Sequence, residues 1–332
     1  MIEQYPYKEI EPTPQFFLSW DVELLTDLLC VAKQWNPPKE ATFQRAKQML
    51  TCALTSAFEN AQTVIIDGKD IATEIQRTVL ALKKSTGLPV VTMDPLYGAS
   101  VADFSLNTTR GLNSDGSIQE IARPGYPDIS EQITRLARTL DGNRKIYLID
   151  AGAYSGGSMQ TIIKLLQRYN VIVETVILGI ATDEAKRTLW SPDVGPPIVI
   201  NSIQKPIDWV EARDFIPFVP LCGRVINEPV QSGVLSRALP YILPEGKPDN
   251  WASIPPGKNY RLSKTGWDIS EIIFQDLEIQ NGIRIELTDL VDLPVRVSYP
   301  GEVIPGLTNV IDVIRAKRQM LQYQSYGITE GI

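Results

Sequence analysis

Residues 146–159 read IYLIDAGAYSGGSM. An apolar run, Ile146 to Ile149 in sequence, ends in Asp150. A turn of small residues follows, and an apolar-periodic helix begins near Ser158. Such a run, closed by glycine and serine and followed by i, i+3, i+4 spacing, predicts a strand, a tight turn and a helix. The helix SMQTIIKLLQRY (158–169) leads into the apolar run VIVETVILGIA (171–181). The segment is therefore a βαβ unit with parallel strands. Ligands of such sheets bind at the carboxyl ends of the strands, where Asp150 and the turn are placed. The amides of Ser155, Gly156, Gly157 and Ser158 lie near a helix N-terminus. Paired glycines allow close approach, and free amides plus the helix dipole attract an anion. Ser155 and Ser158 add hydroxyl donors. The combination is a phosphate cradle beside one carboxylate.

Upstream, TVIID (63–67) reads as a strand and DGK as a turn. Residues 70–87 read as a helix ending at Gly87, with Lys83 and Lys84 near its C-terminus, and LPVVTM (88–93) as the next strand. That order predicts an earlier βαβ unit, which implies a parallel sheet. Asp67 and Asp70 could pair on a metal, although turn aspartates are common without one. Residues 94–128 lose periodicity and are rich in Gly, Ser, Asn, Asp and Pro. A loop this long is usually functional or disordered; its Arg110 and Arg123 stay solvated unless it orders. A helix is expected at 129–140 and a strand at 145–150. Before residue 60, helices are expected over 15–35 and 39–60. The second carries Phe43, Ala46, Met49, Leu50, Ala53, Leu54 and Phe58 on one face. Residues 1–13 are expected to be irregular. Residues 190–332 hold many prolines, short strand-like runs, four of the six tryptophans and a final helix near 307–323. Trp209, Trp251 and Trp267 are expected to pack a core or a subunit contact, with base stacking the minority role.

The chain of 332 residues carries 32 basic and 39 acidic side chains, a formal charge of −7, and no histidine. Without imidazole, a Ser-His-Asp triad, a Cys-His dyad and a two-histidine metal site are excluded. A sequence pI near 4.9 argues against general nucleic-acid or anionic-membrane binding. Cys30, Cys52 and Cys222 are odd in number and widely spaced, which suits reduced thiols and a cytoplasmic protein. The N-terminus lacks a basic start followed by an apolar run, so no signal peptide is expected. No stretch is long enough to span a membrane.

Several chemistries share the strand–turn–helix outline. An esterase elbow fits Ala153-Tyr154-Ser155-Gly156-Gly157 loosely but lacks its histidine. A P-loop needs lysine where Ser158 stands. The glycine-rich turn of an S-adenosylmethionine-dependent methyltransferase fits Asp150-Ala151-Gly152 weakly, and that turn usually ends the first strand of its domain. The run resembles most the ribose-phosphate motif of the type I phosphoribosyltransferases: an apolar strand, two acidic residues, three variable positions and Thr-Gly-Gly-Thr opening a helix. Asp150 stands at the first acidic position, and Ser155-Gly156-Gly157-Ser158 match the phosphate turn.

The resemblance covers about residues 60–185. It implies an α/β fold: a parallel-sheet phosphoribosyltransferase-like core (61–200), an N-terminal helical arm or cap (1–60), and a C-terminal α+β extension or hood (201–332). It implies a small-molecule ligand, phosphoribosyl pyrophosphate or a nucleotide 5-phosphate. Asp150 would bind the ribose, with Gly152, Tyr154, Ser155, Gly156, Gly157 and Ser158 around the ribose phosphate. Asp67, Gly68 and Lys69 would form the pyrophosphate loop, the loop of Arg110 and Arg123 would close over the reaction, and Mg2+ would be the cofactor. The second acidic position is Ala151, which halves the anionic charge facing an oxocarbenium-like centre and implies weakened or lost transfer. A non-catalytic phosphoribosyl- or nucleotide-binding regulator is the alternative, and a methyltransferase the more distant one. The run 208–217, DWVEARDFIP, is faintly similar to the hood-side segment of purine salvage members and assigns no base contact. The Trp- and Pro-rich C-terminal third offers a surface for a possible homodimer.

Overall fold

The computed structural model describes residues 13–113, 117–140, 142, 144–191, 194–230, 233–290, 306 and 308–325, with side chains except at 226–238 and 322–325. The expectation for residues 1–12 lies outside them. The chain opens with strand β1 (Gln15–Trp20), helices α1 (Val22–Lys33) and α2 (Glu40–Ala57), strand β2 (Gln62–Asp67) and helix α3 (Gly68–Thr86). Then come β3 (Val90–Thr92), β4 (Phe104–Ser105), β5 (Thr108–Asn113), β6 (Ile118–Ala122) and α4 (Ile129–Thr139). The quoted motif supplies β7 (Lys145–Ala153) and α5 (Gly157–Arg168), followed by β8 (Ile172–Thr182), α6 (Asp183–Leu189), β9 (Ile198–Ile203) and β10 (Asp208–Glu211). The last part holds β11 (Arg224–Val230), β12 (Gly233–Leu239), α7 (Pro248–Trp251), α8 (Asn259–Asn281) and α9 (Val310–Ser325).

The protein is mixed α/β with parallel sheets. The central sheet has five strands in the order β4-β3-β7-β8-β9, all parallel. Both faces are covered, as a parallel sheet requires. On one face α4 and α5 bury Ile133, Leu136, Ile162 and Leu166 against Ile146, Leu148, Val176 and Leu178. On the other, α3 buries Ile71, Ile75 and Val79 against Tyr147, Ile149 and Ile177. The strands read as near-continuous apolar runs because neither face meets water.

Three expectations are corrected. The 15–35 run is not one helix. Its first six residues form β1, the middle strand of a second parallel sheet ordered β10-β1-β2. Strand β2 therefore pairs with β1 and not with β3, so TVIID and LPVVTM belong to different sheets. Gly68 permits this arrangement, since a Cβ there would lie 2.6 Å from the Trp20 carbonyl oxygen where α3 starts against β1. The 94–128 stretch is not structureless either. It holds β4 and the hairpin β5–β6, and β5 extends into a third sheet, β12-β11-β5-β6, by pairing parallel with β11. Residues 114–116 of that stretch lie outside the described ones. The helices from the two ends of the chain share one core: Phe43, Leu50 and Leu54 of α2 meet Trp267, Phe274 and Leu277 of α8 and Ile314 of α9.

Candidate ligand-binding site

Strand β7 runs past Asp150, where the sequence predicts its end, to Ala153, and the turn that follows opens into a cavity of about 390 Å3. Gly156 is the N-cap of α5 at φ +82°, a conformation that glycine adopts freely. No side chain caps the helix, and the nearest candidate, Ser155 Oγ, stands 3.5 Å from the Gly157 amide. Apart from that long contact from Gly157, the first amides of α5 have no partner among the described residues, as an anion site needs. Asp150, Gly152, Tyr154, Ser155, Gly156, Gly157 and Ser158 all line the cavity.

Asp150 is half-buried and its carboxylate accepts the amide of Ala151 at 2.8 Å. Burial, reinforced by the charge of Asp94, pushes its carboxyl up to about 7. Ala151 is buried, packed in the apolar cluster of Ile71, Ile149 and Ile177 under α3. Beside β7 in the sheet, β3 runs into Asp94, another lining residue. Asp94 is buried; its Oδ1 accepts the amides of Leu96, at 2.9 Å, and Tyr97. Those two amides are thus taken within the loop.

The 67–69 turn is not brought to this cavity. Asp67 caps α3 by accepting the Lys69 amide at 3.0 Å and pairs with Lys47 at 2.8 Å. Lys69 pairs with Glu23, and Gly68 is buried against β1. These partners follow from β2 lying in the second sheet. Arg110 and Arg123, by contrast, reach the cavity because the hairpin is ordered. Arg123 Nε is buried and makes no hydrogen bond, and burial lowers the affinity of its guanidinium for its proton.

The remaining walls come from segments whose roles the sequence left unassigned. Trp209, on β10, donates from Nε1 to Ser19 Oγ at 2.7 Å and lies against Gly152. Arg213 donates from Nη1 to Asp21 at 2.9 Å and also pairs with Glu211. Burial pulls the Arg213 guanidinium down, and Glu211 and Asp21 outweigh it, holding the group charged. Asp214, next in the chain, is buried; burial and the neighbouring Glu211 raise its carboxyl to about 7. Arg224 donates to the Tyr241 hydroxyl at 3.1 and 2.9 Å and lies 4.7 Å over the Trp251 ring. Trp251 in turn stacks on Tyr241 at 5.5 Å. Trp267 is fully buried and donates to the Leu243 carbonyl at 2.7 Å. It serves the core, as expected, whereas Trp209 and Trp251 face the cavity. The only sequence signal for these walls was the 208–217 run.

Charge in the cavity is unevenly satisfied. Asp94 and Asp208 are held by hydrogen bonds and Glu211 by Arg213. Among the described residues, none of Arg110, Arg123 and Arg224 has a carboxylate within ion-pair distance. No three acidic or thiol side chains converge among the described residues to hold a metal, so the magnesium implied by the resemblance has no preformed cage of protein ligands there. No helix among the described residues is long and apolar enough to cross a membrane.

No protein-family model matches the chain, and no curated protein matches it. Among solved structures, the adenine phosphoribosyltransferase of Rhodothermus marinus DSM 4252 is similar over 40% of this chain and 78% of its own, at 12% identity and a TM-score of 0.27.

Proposed function

We propose that the cavity binds a phosphoribosyl ligand, either phosphoribosyl pyrophosphate or a nucleotide 5-phosphate. One observation carries the reading: a single cavity joins the uncapped N-terminus of α5 to three arginines that lack carboxylate partners among the described residues. The amides of the turn and the Arg123 guanidinium, whose Nε has no partner, suit a ligand with two anionic groups. The 155–158 turn takes the 5-phosphate through its amides, with Ser155 and Ser158 adding hydroxyl donors. Asp150 accepts from the ribose hydroxyls. Arg123, which is electrostatically coupled to Asp94 and Asp150, takes the second anionic group. The 67–69 turn has no part, because its side chains are committed elsewhere. A methyltransferase reading offers these guanidiniums only the single carboxylate of its cofactor, which carries no phosphate for the 155–158 turn.

The burial of Ala151 favours a protein that binds more strongly than it transfers. A second carboxylate at this position would face the apolar cluster under α3, so only Asp150 lines the cavity from β7 to stabilise a developing cation. The test is titration calorimetry with phosphoribosyl pyrophosphate, ribose 5-phosphate and nucleoside monophosphates on the wild type and on Gly157→Asp. A Cβ at Gly157 has room, its nearest neighbour being Ser155 Oγ at 3.7 Å, so the variant places negative charge in the cradle without a clash. Wild-type binding that Gly157→Asp weakens about a hundredfold, on the scale of a lost charge-assisted contact, is expected. Failure of every one of these ligands to bind the wild type sinks the reading.

A further inference from the structure

We propose that Asp94 supplies, from the end of β3, the second carboxylate that the β7 motif lacks at Ala151, and that Asp94 and Asp150 together drive cleavage at the anomeric carbon of phosphoribosyl pyrophosphate with water as the acceptor. This rests on the phosphoribosyl reading of the same cavity. It gives the site a turnover that Ala151 by itself would deny it.

Register carries the placement. Strands β3 and β7 run parallel with Thr92 opposite Ile149, and the Met93 amide donates to the Ile149 carbonyl at 2.9 Å. Two residues further along each chain, Asp94 comes level with Ala151. The carboxylate absent from one strand is thus present at the same level on its neighbour, and both Asp94 and Asp150 line the cavity. Of the charges acting on Asp150, that of Asp94 is the largest, as befits two carboxylates sharing one site.

The hydrogen bonds of Asp94 leave half of it unused. The residue is only 2% exposed, and Oδ1 alone accepts both the Leu96 and the Tyr97 amides. Oδ2 has no donor among the described residues. Holding the turn needs one acceptor oxygen, which an asparagine would provide without the cost of burying a charge. A charge kept here serves a positive centre. As the C1–O bond breaks, its electron pair leaves with the pyrophosphate and the ribose becomes cationic at C1. Two carboxylates stabilise that cation and not the anionic ground state, which is the differential binding that catalysis requires. The oxygen of water then bonds C1, its proton goes to solvent, and ribose 5-phosphate results. Water is the acceptor that needs no site of its own.

Phosphorus NMR of phosphoribosyl pyrophosphate incubated with the full chain should show pyrophosphate and ribose 5-phosphate appearing in equal amounts, faster than without protein. Asp94→Asn keeps an oxygen for the two amides and removes the charge. It should slow turnover about a hundredfold or more. Its calorimetric affinity for phosphoribosyl pyrophosphate should be unchanged or tighter, because a carboxylate that repels the anion is gone, and its urea midpoint should be kept. A residue that only holds the turn would instead move affinity and stability together. Three results overturn the proposal and leave the phosphoribosyl reading standing: a wild type that binds the ligand and releases no pyrophosphate, undiminished turnover in Asp94→Asn, or turnover lost only along with affinity and stability. If phosphoribosyl pyrophosphate does not bind the wild type, both fall together.

Discussion

Trp209 lies against Gly152 so closely that the glycine has no space for a side chain. A Cβ there would fall 3.0 Å from Trp209 Cζ3 and 2.6 Å from the Ile180 carbonyl oxygen. The indole of β10, from the small sheet, is thereby set against the strand that carries Asp150. The contact joins two sheets at the cavity wall, and Trp209 is further held by its bond to Ser19. Gly152→Ala should push the indole aside and cost about 1–3 kcal/mol, the usual penalty of overpacking. Urea unfolding measures the stability loss. Calorimetry with ribose 5-phosphate should show affinity falling about tenfold or more, since the wall shifts beside Asp150. An unchanged affinity would mean that this wall does not touch the ligand.

Arg213 is the buried centre of a charge cluster with Asp21 and Glu211. Its removal strands two carboxylates in a dry environment. Arg213→Met should lower stability by about 3–5 kcal/mol, as breaking a buried pair from one side does. The double variant Asp21→Asn with Arg213→Met should lose less than Arg213→Met alone, because one stranded charge is gone. Thermal and urea unfolding of the wild type, Arg213→Met, Asp21→Asn and the double variant would show the coupling, and additive losses would argue against it.

The Asp150 carboxyl is raised from 3.8 to about 7 by burial and by the charge of Asp94. The folded state therefore keeps a proton that the unfolded chain has already released at pH values between the two. The corresponding stability is full below about pH 4 and is lost as pH rises through about 7. Asp150→Asn cannot ionise and escapes that loss. Relative to the wild type, the variant should gain about 1 kcal/mol or more between pH 4 and pH 8. Urea midpoints at the two pH values measure it. A variant that instead loses ground at pH 8 would show the wild-type carboxylate to be stabilised by its surroundings.

Asp67 and Lys69 offer a control on where the ligand sits. Asp67→Ala removes the α3 cap and the pairing with Lys47, and should cost about 0.5–2 kcal/mol. Lys69→Ala breaks an exposed-side pairing with Glu23 and should cost less than about 1 kcal/mol. Neither should change phosphoribosyl pyrophosphate affinity by more than about twofold. A tenfold loss in Lys69→Ala would return the pyrophosphate to this turn.

What could be read from the sequence was local. The strand, turn and helix of 146–159 announce themselves through apolar runs and paired glycines that need no distant partner, and they appear in place as β7 and α5. Two runs leading to an aspartate, TVII before Asp67 and VVTM before Asp94, were equally good candidates for the strand beside β7. Only pairing distinguishes them: β3 bonds to β7, and β2 bonds to β1. Strand β1 was hidden because QFFLSW runs directly into the apolar spacing of α1, and its strand character comes from neighbours at 62–67 and 208–211. The wall of Asp214, Arg224 and Trp251 left no local trace for the same reason. Its residues belong to a turn, a strand and a short helix, and they meet only after the third sheet forms.

The placing of β1 between β2 and β10 also sets an order of events at the ribosome. Asp21 and Arg213, its anchoring pair, are separated by 192 residues. Strand β1 must wait for all of the intervening chain to be made before its second neighbour, β10, arrives. Strands β3, β4, β7 and β8 of the central sheet end by Thr182 and can assemble in the meantime. Contacts of such long reach close slowly. The nascent protein therefore carries an unfilled parallel edge at β1 until β10 is made, and chain termination before β10 leaves that edge open to pairing with another molecule.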